Sequence, residues 1–201
     1  MTYKLPSLEA EFERYREARE ALVESGDAAA IPDFLFRWCN STERPVELLA
    51  LYYNMANADD ALFWRLIADE WSGFDRIPLD DYIIWFEELR AAWSPGCMEP
   101  TDRAAYDALP DEVTVYRGQS ATVPLGLAWT LRRDVAVGFA AGHRGISVPS
   151  PAIVTTRVKK TDIAFVCTDR NEDAVVLFEP PGAEAVTMEI IGPASSAGTK
   201  H

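Results

Sequence analysis

Histidine is nearly absent from this chain: His143 and His201 are the only two in 201 residues. So little imidazole argues against a His-based metal site, and a Ser-His-Asp or Cys-His triad could draw only on His143. Cysteine is scarce as well. Cys39, Cys97 and Cys167 are an odd number at wide spacings with no Cys-x-x-Cys pair, which predicts reduced, partly buried thiols rather than a disulfide framework. No apolar run approaches the roughly eighteen residues of a membrane helix. Residues Met1–Glu9 lack the apolar stretch of a secretion signal. These absences predict a cytoplasmic protein with no membrane partner, and they leave carboxylates, arginines and hydroxyls as the working groups.

What is present is ordinary in amount and uneven in placement. A hydrophobic share of 48% and a charged share of 25% are those of a globular chain, long enough here for one or two small domains. The net charge of −13 is concentrated in residues 1–110, with 22 acids and 10 bases, while residues 111–201 hold 10 acids and 9 bases. The first half should repel the phosphates of bare nucleic acid. A basic protein surface, or mimicry of nucleic acid, suits it better; a solvated helical surface accounts for the same charge.

The hydrophobic period changes along the chain. Ser7 caps a helix running to about Val23, with Leu8, Phe12, Tyr15 and Leu22 on one face and Gly26 ending it. Pro32 and Pro45 open two more helices. Asp59 or Asp60 caps a fourth, followed by Gly73. Residues 79–93 form a fifth with Tyr82, Trp85, Phe86, Leu89 and Trp93 on a wide apolar stripe, and Thr101 caps a short last one. Trp38, Trp64, Trp71, Trp85 and Trp93 read as packing aromatics. Beyond Pro110 the pattern becomes that of strands: 113–116, 152–158, 163–166, 174–178 and 186–191, rich in β-branched residues. One helix from about Arg133 to Ala141 interrupts them, and 142–151 is a loop. Lys159 and Lys160 read as a solvated turn, and His143 as a loop histidine within reach of a ligand phosphate or base.

Residues 113–180 carry three short signatures in order. They are Val-Tyr-Arg-Gly at 115–118, Gly-Leu-Ala-Trp-Thr-Leu with Ala-Val-Gly-Phe-Ala inside 126–140, and Arg-Asn-Glu-Asp-Ala-Val-Val-Leu at 170–177. An arginine at a strand end forks onto phosphate or ribose oxygens better than a lysine. The glycine after it permits close approach to the backbone. Each feature also has a plain structural role: an exposed arginine at a turn, Thr130 as a helix cap, Phe139 as core packing, and 171–173 as turn residues ahead of a buried strand.

Together the signatures resemble the Arg–Ser/Thr–Glu class of ADP-ribosyltransferases, of the short bacterial or phage type. The hydrophobic period predicts a helical domain, 1–110, and the chain end a disordered tail, 193–201; the resemblance, which covers about 113–180, implies a split β-sheet transferase-like core, 111–192, and the two together an α+β fold. It implies NAD as co-substrate and mono-ADP-ribosyl transfer to a macromolecule, a protein first and a nucleic acid second, in a toxin, effector or anti-defence setting. Arg117, Gly118, Thr130 and Phe139, flanked by Tyr116 and Trp129, would bind NAD, and Glu172 would be catalytic. One departure stands out. If Glu172 matches the first glutamate of the family's Glu-x-Glu, the second and catalytic position is Ala174. Three explanations remain open: Glu172 serves in a shifted register, Asp173 serves with a shorter reach, or Ala174 marks an inactive form that only binds NAD or a partner. Alternation along a strand would put Glu172 and Ala174 on one side and Asp173 on the other, which favours Glu172.

Overall fold

The structure, a computed structural model, describes residues 7–56, 59–142 and 147–191. The chain divides into two compact units between Pro78 and Leu79, and not at the change of period near Pro110. Mixed α and β structure is present as expected, with seven α-helices and a six-stranded antiparallel sheet among the described residues.

The first unit is helical: α1 (Leu8–Ser25), α2 (Ile31–Trp38), α3 (Arg44–Asn54) and α4 (Asp60–Glu70). Local chemistry sets the ends. The Ser7 hydroxyl accepts from the Ala10 amide at 3.3 Å, and Gly26 closes α1 with φ at 64°, a left-handed conformation glycine adopts without strain. The Asp59 carboxylate accepts from the Leu62 amide at 2.6 Å. Pro32 and Pro45 sit at the starts of α2 and α3, where no amide hydrogen is needed. Phe63, Trp64, Leu48 and Leu51 are fully buried, each contributing about 2 kcal/mol. The apolar face expected for α1 is only half used. Leu8 and Phe12 are 87% and 68% exposed, because ring contacts with α2 begin at Tyr15, 5.7 Å from Phe34.

The second unit holds α5 (Leu79–Glu88), α6 (Pro100–Asp107), β1 (Glu112–Ser120), β2 (Ala128–Thr130), α7 (Arg133–Ala140), β3 (Pro151–Lys159), β4 (Ile163–Cys167), β5 (Ala174–Leu177) and β6 (Val186–Ile190). The fifth helix ends at Glu88, short of the expected 93, and α6 opens at Pro100 rather than behind a Thr101 cap. These two helices belong with the sheet. Phe86 meets Phe165 edge-on at 6.3 Å, Trp93 meets Phe178 at 5.3 Å, and the Trp93 indole donates to the Ala164 carbonyl at 2.7 Å. The Asp102 carboxylate accepts from both the amide and the hydroxyl of Thr168, at 2.8 and 2.6 Å. All three cysteines are free and buried, as expected. The expected tail lies outside the described residues.

The strand order is β4-β5-β2-β1-β3-β6. Its joints are unequal. β1 pairs with β3 over nine residues, β3 with β6 over five, β4 with β5 over four and β2 with β5 over three. β1 meets β2 at one pair, Tyr116 and Thr130. Two three-stranded halves therefore hang together at a single ladder position. Helix α7 packs on β1 at Gly118. A methyl group there would overlap the Ala136 carbonyl oxygen and stand 2.6 Å from the Ala140 nitrogen. Gly118→Ala is accordingly expected to destabilise the protein by about 2 kcal/mol or more, since the obstruction is helix backbone and not a side chain that can rotate away; equilibrium urea unfolding measures it.

Candidate functional site

The narrow joint between β1 and β2 is where the three sequence signatures meet. Thr130 stands opposite Tyr116 on one side and opposite Ala174 on the other. At the usual strand spacing the row Tyr116–Thr130–Ala174 spans about 10 Å. Arg117 follows Tyr116 on β1, and Glu172 lies two residues before Ala174.

Beyond Tyr116 the β1–β2 ladder stops. Gly118 would have stood opposite Ala128 had it continued, and the Ala128 carbonyl would have taken a backbone amide. The Arg117 side chain takes that place. Its Nη1 donates to the Ala128 carbonyl oxygen at 2.5 Å and its Nε to the Gln119 side-chain oxygen at 2.6 Å. Gly126 leaves the space the guanidinium needs: a Cβ at that position would stand 2.9 Å from Nη2. Gln119 is buried, and its amide nitrogen donates onward to the Val123 carbonyl at 2.8 Å. The guanidinium is thus wedged in the seam by a loop and a neighbouring strand.

Its electrostatics are unusual. Both protein acceptors are neutral. Among the described residues no ion pair reaches Arg117; the six present all engage other arginines. Burial alone pushes its pKa down to about 10, so it remains a cation at neutral pH. A guanidinium has five N–H donors, and two are accounted for by protein. Its other donors meet no protein acceptor, and no carboxylate offsets its charge, among the described residues.

Thr130 connects the seam to the acidic turn. Its hydroxyl donates to the Glu172 carbonyl at 2.6 Å and accepts from the Arg132 amide at 3.0 Å. The Leu131 amide donates to the Asp173 carbonyl at 3.1 Å, and Arg132 Nη1 to the Asn171 carbonyl at 3.0 Å. Three consecutive carbonyls are held by three consecutive residues. The backbone they hold is strained: Arg170, Asn171 and Asp173 have φ of 58°, 55° and 43°, a region that costs non-glycine residues energy and clusters at functional sites. The strand begins only at Ala174, so the alternation argument for Glu172 does not apply. Glu172 is in a right-handed turn conformation, φ −98° and ψ −13°. Its side chain is half-buried and forms no hydrogen bond or ion pair among the described residues.

The other candidates separate. Trp129 is 3% exposed and its indole donates to the Gly126 carbonyl at 2.9 Å; it is a packing residue that braces the loop beneath Arg117. The space beside the Gly118 Cα is filled by α7 and is not open to a ligand. The Thr130 hydroxyl is committed to protein partners at both ends. Tyr116 and Phe139 remain half-buried at the seam and on α7. Lys159 is exposed and Lys160 half-buried; the Lys160 ammonium donates to the Asp107 and Leu109 carbonyls at 2.9 and 3.3 Å. His143 lies outside the described residues. Gln119, Gly126 and Arg132 do not stand out from the motifs alone. A signal for the first two is nonetheless present: no acid occurs from Val113 to Leu131, so neither the β1–β2 loop nor the strand residues beside it can neutralise Arg117. Among metal-ligating types, no cluster of three occurs in the described residues, and no helix among them is long and apolar enough to cross a membrane.

Comparison with protein-family models, curated proteins and solved structures finds no match to this chain.

Replacing Thr130 by Val removes the donor to Glu172 and the acceptor for Arg132. The expected loss is about 1–3 kcal/mol, with faster hydrogen exchange at the Arg132 amide; Thr130→Ser should restore both.

Proposed function

We propose that the chain is a mono-ADP-ribosyltransferase that binds NAD at the joint between the two half-sheets. The observation that supports this most directly is Arg117, a half-buried guanidinium whose protein partners are all neutral. The diphosphate of a dinucleotide supplies the missing negative charge, and the planar fork suits it.

The reaction breaks the bond between the ribose C1′ and the nicotinamide nitrogen. The bonding electrons leave with nicotinamide, an acceptor lone pair forms the new bond to C1′, and the acceptor's proton is released. The products are ADP-ribosyl acceptor, free nicotinamide and a proton. Positive charge develops on the ribose as in glycoside cleavage, and a fixed carboxylate beside it lowers the barrier. Glu172 is the candidate for that role, since its carboxylate is unpaired while its backbone carbonyl is held by Thr130. Tyr116, opposite Thr130 in the ladder, is the aromatic proposed to border the nicotinamide ring. The acceptor is a nucleophile on a macromolecule, for which a protein side chain is the first candidate.

Ala174 supports a second reading. It is the first residue of β5, half-buried and opposite Thr130, and it carries a methyl group where the resembling family has its catalytic glutamate. On this reading the seam binds NAD without turnover.

The test is incubation with labelled NAD and cell lysate, with free nicotinamide assayed in parallel. The transferase reading expects labelled product from the native chain and a loss of about 100-fold or more in Glu172→Gln. If only Ala174→Glu releases nicotinamide, the second reading holds. Absence of binding and release in both folded proteins would overturn the two together.

A further inference from the structure

We infer that Gln119 is the residue that keeps Arg117 available to an anion, by fixing the guanidinium without neutralising it. The inference rests on the reading of the seam as a dinucleotide site and adds a positioning residue to it. A buried guanidinium is ordinarily met by a carboxylate, which satisfies its donors and its charge at once. Here the position that holds Nε, at 2.6 Å, carries an amide of the same shape as glutamate. The amide is oriented by its other end. Its nitrogen donates to the Val123 carbonyl at 2.8 Å, so the oxygen must face Arg117.

The consequences are geometric and electrostatic. Nε is tied to Gln119 and Nη1 to the Ala128 carbonyl, so two edges of the fork are set by protein. Gly126 stands against Nη2 without a side chain. The remaining donors carry an undiminished positive charge. Gln119 is 6% exposed, so it acts on a ligand through Arg117 and does not itself belong to the contact surface. The same residue links Arg117 to the Val123 backbone, so the β1–β2 loop and the guanidinium are held as one piece.

The substitution that separates charge from shape is Gln119→Glu. It keeps the acceptor for Nε and places a negative charge on the guanidinium. Gln119→Met removes the acceptor and adds no charge. Binding of NAD and of inorganic pyrophosphate to the full chain is measured by calorimetry, with the melting temperature of each variant confirming that it folds. The native protein is expected to bind both. Gln119→Glu should weaken both by about tenfold or more, because the anion must compete with an internal carboxylate; Gln119→Met should weaken them only a few-fold. If Gln119→Glu does not fold, a pyrophosphate affinity in Gln119→Met equal to the native value overturns the inference, and a few-fold loss upholds it. If the native protein and the Gln119→Glu variant bind NAD equally, Gln119 has no such role, although the dinucleotide reading stands. If pyrophosphate binds and is lost in Gln119→Glu while NAD never binds, the role of Gln119 stands and the dinucleotide reading fails. If the native protein binds neither, both fail.

Discussion

One guanidinium in place of a backbone ladder is the constraint on which the second unit depends. β1 is stitched to β3 along its whole length and to β2 at a single pair. Past that pair the strands part, and the gap is filled by Arg117 bonded to the Ala128 carbonyl. A continued ladder would satisfy the same carbonyl with a backbone amide and no charge desolvation. The arrangement therefore gives up stability locally. It is supported from outside by α7 packed backbone-to-backbone on Gly118 and by the aromatic contacts of α5 and Trp93 with the β4–β5 half. A fold that yields stability at one point and secures it around that point is the pattern expected of a functional site.

The acidic turn follows the same logic. Three non-glycine residues within Arg170–Asp173 hold left-handed backbone angles, which persist only where the surroundings over-determine them. Here the surroundings are identifiable. Thr130, Leu131 and Arg132 grip the carbonyls of 171–173, and Asp102 on α6 grips the Thr168 amide and hydroxyl just before the turn. The turn is anchored at both ends, and the two anchors come from separate parts of the sequence. Glu172 is presented by a loop hydrogen-bonded at both ends and not by a strand.

Much of this is legible without coordinates. Helix ends follow from capping chemistry at Ser7, Gly26 and Asp59, and the five strands expected after Pro110 all occur. What periodicity does not supply is the identity of the partner. The stripe of Tyr82, Phe86 and Trp93 announces a buried face but not that part of it meets Phe165 and Phe178, far along the chain; hence the unit boundary lies at Pro78 and not at Pro110. Leu8 and Phe12 share a helical face with Tyr15 and stay exposed, because a shared face does not guarantee a neighbour. A glycine after Arg117 signals close approach, and the group that approaches is a helix rather than a ligand. Nothing in a Tyr-Arg-Gly triplet distinguishes the two. Alternation would fix the side of Glu172 only if β5 began two residues earlier than it does.

Charge offers the last step. A chain with 32 acids and 19 bases has no shortage of carboxylates with which to neutralise an arginine, and its described ion pairs show that it does so freely elsewhere: Arg19 with Glu47, Arg132 with Asp134, Arg133 with Glu189, Arg157 with Glu112. Several of those arginines lie in water, where a pair is worth little. The one arginine for which a counter-ion would matter most, wedged in the seam, receives an amide and a carbonyl instead, inside a stretch from Val113 to Leu131 that contains no acid. The composition of the strand pair and the geometry of the seam thus agree: positive charge is retained at this position, held by neutral protein acceptors.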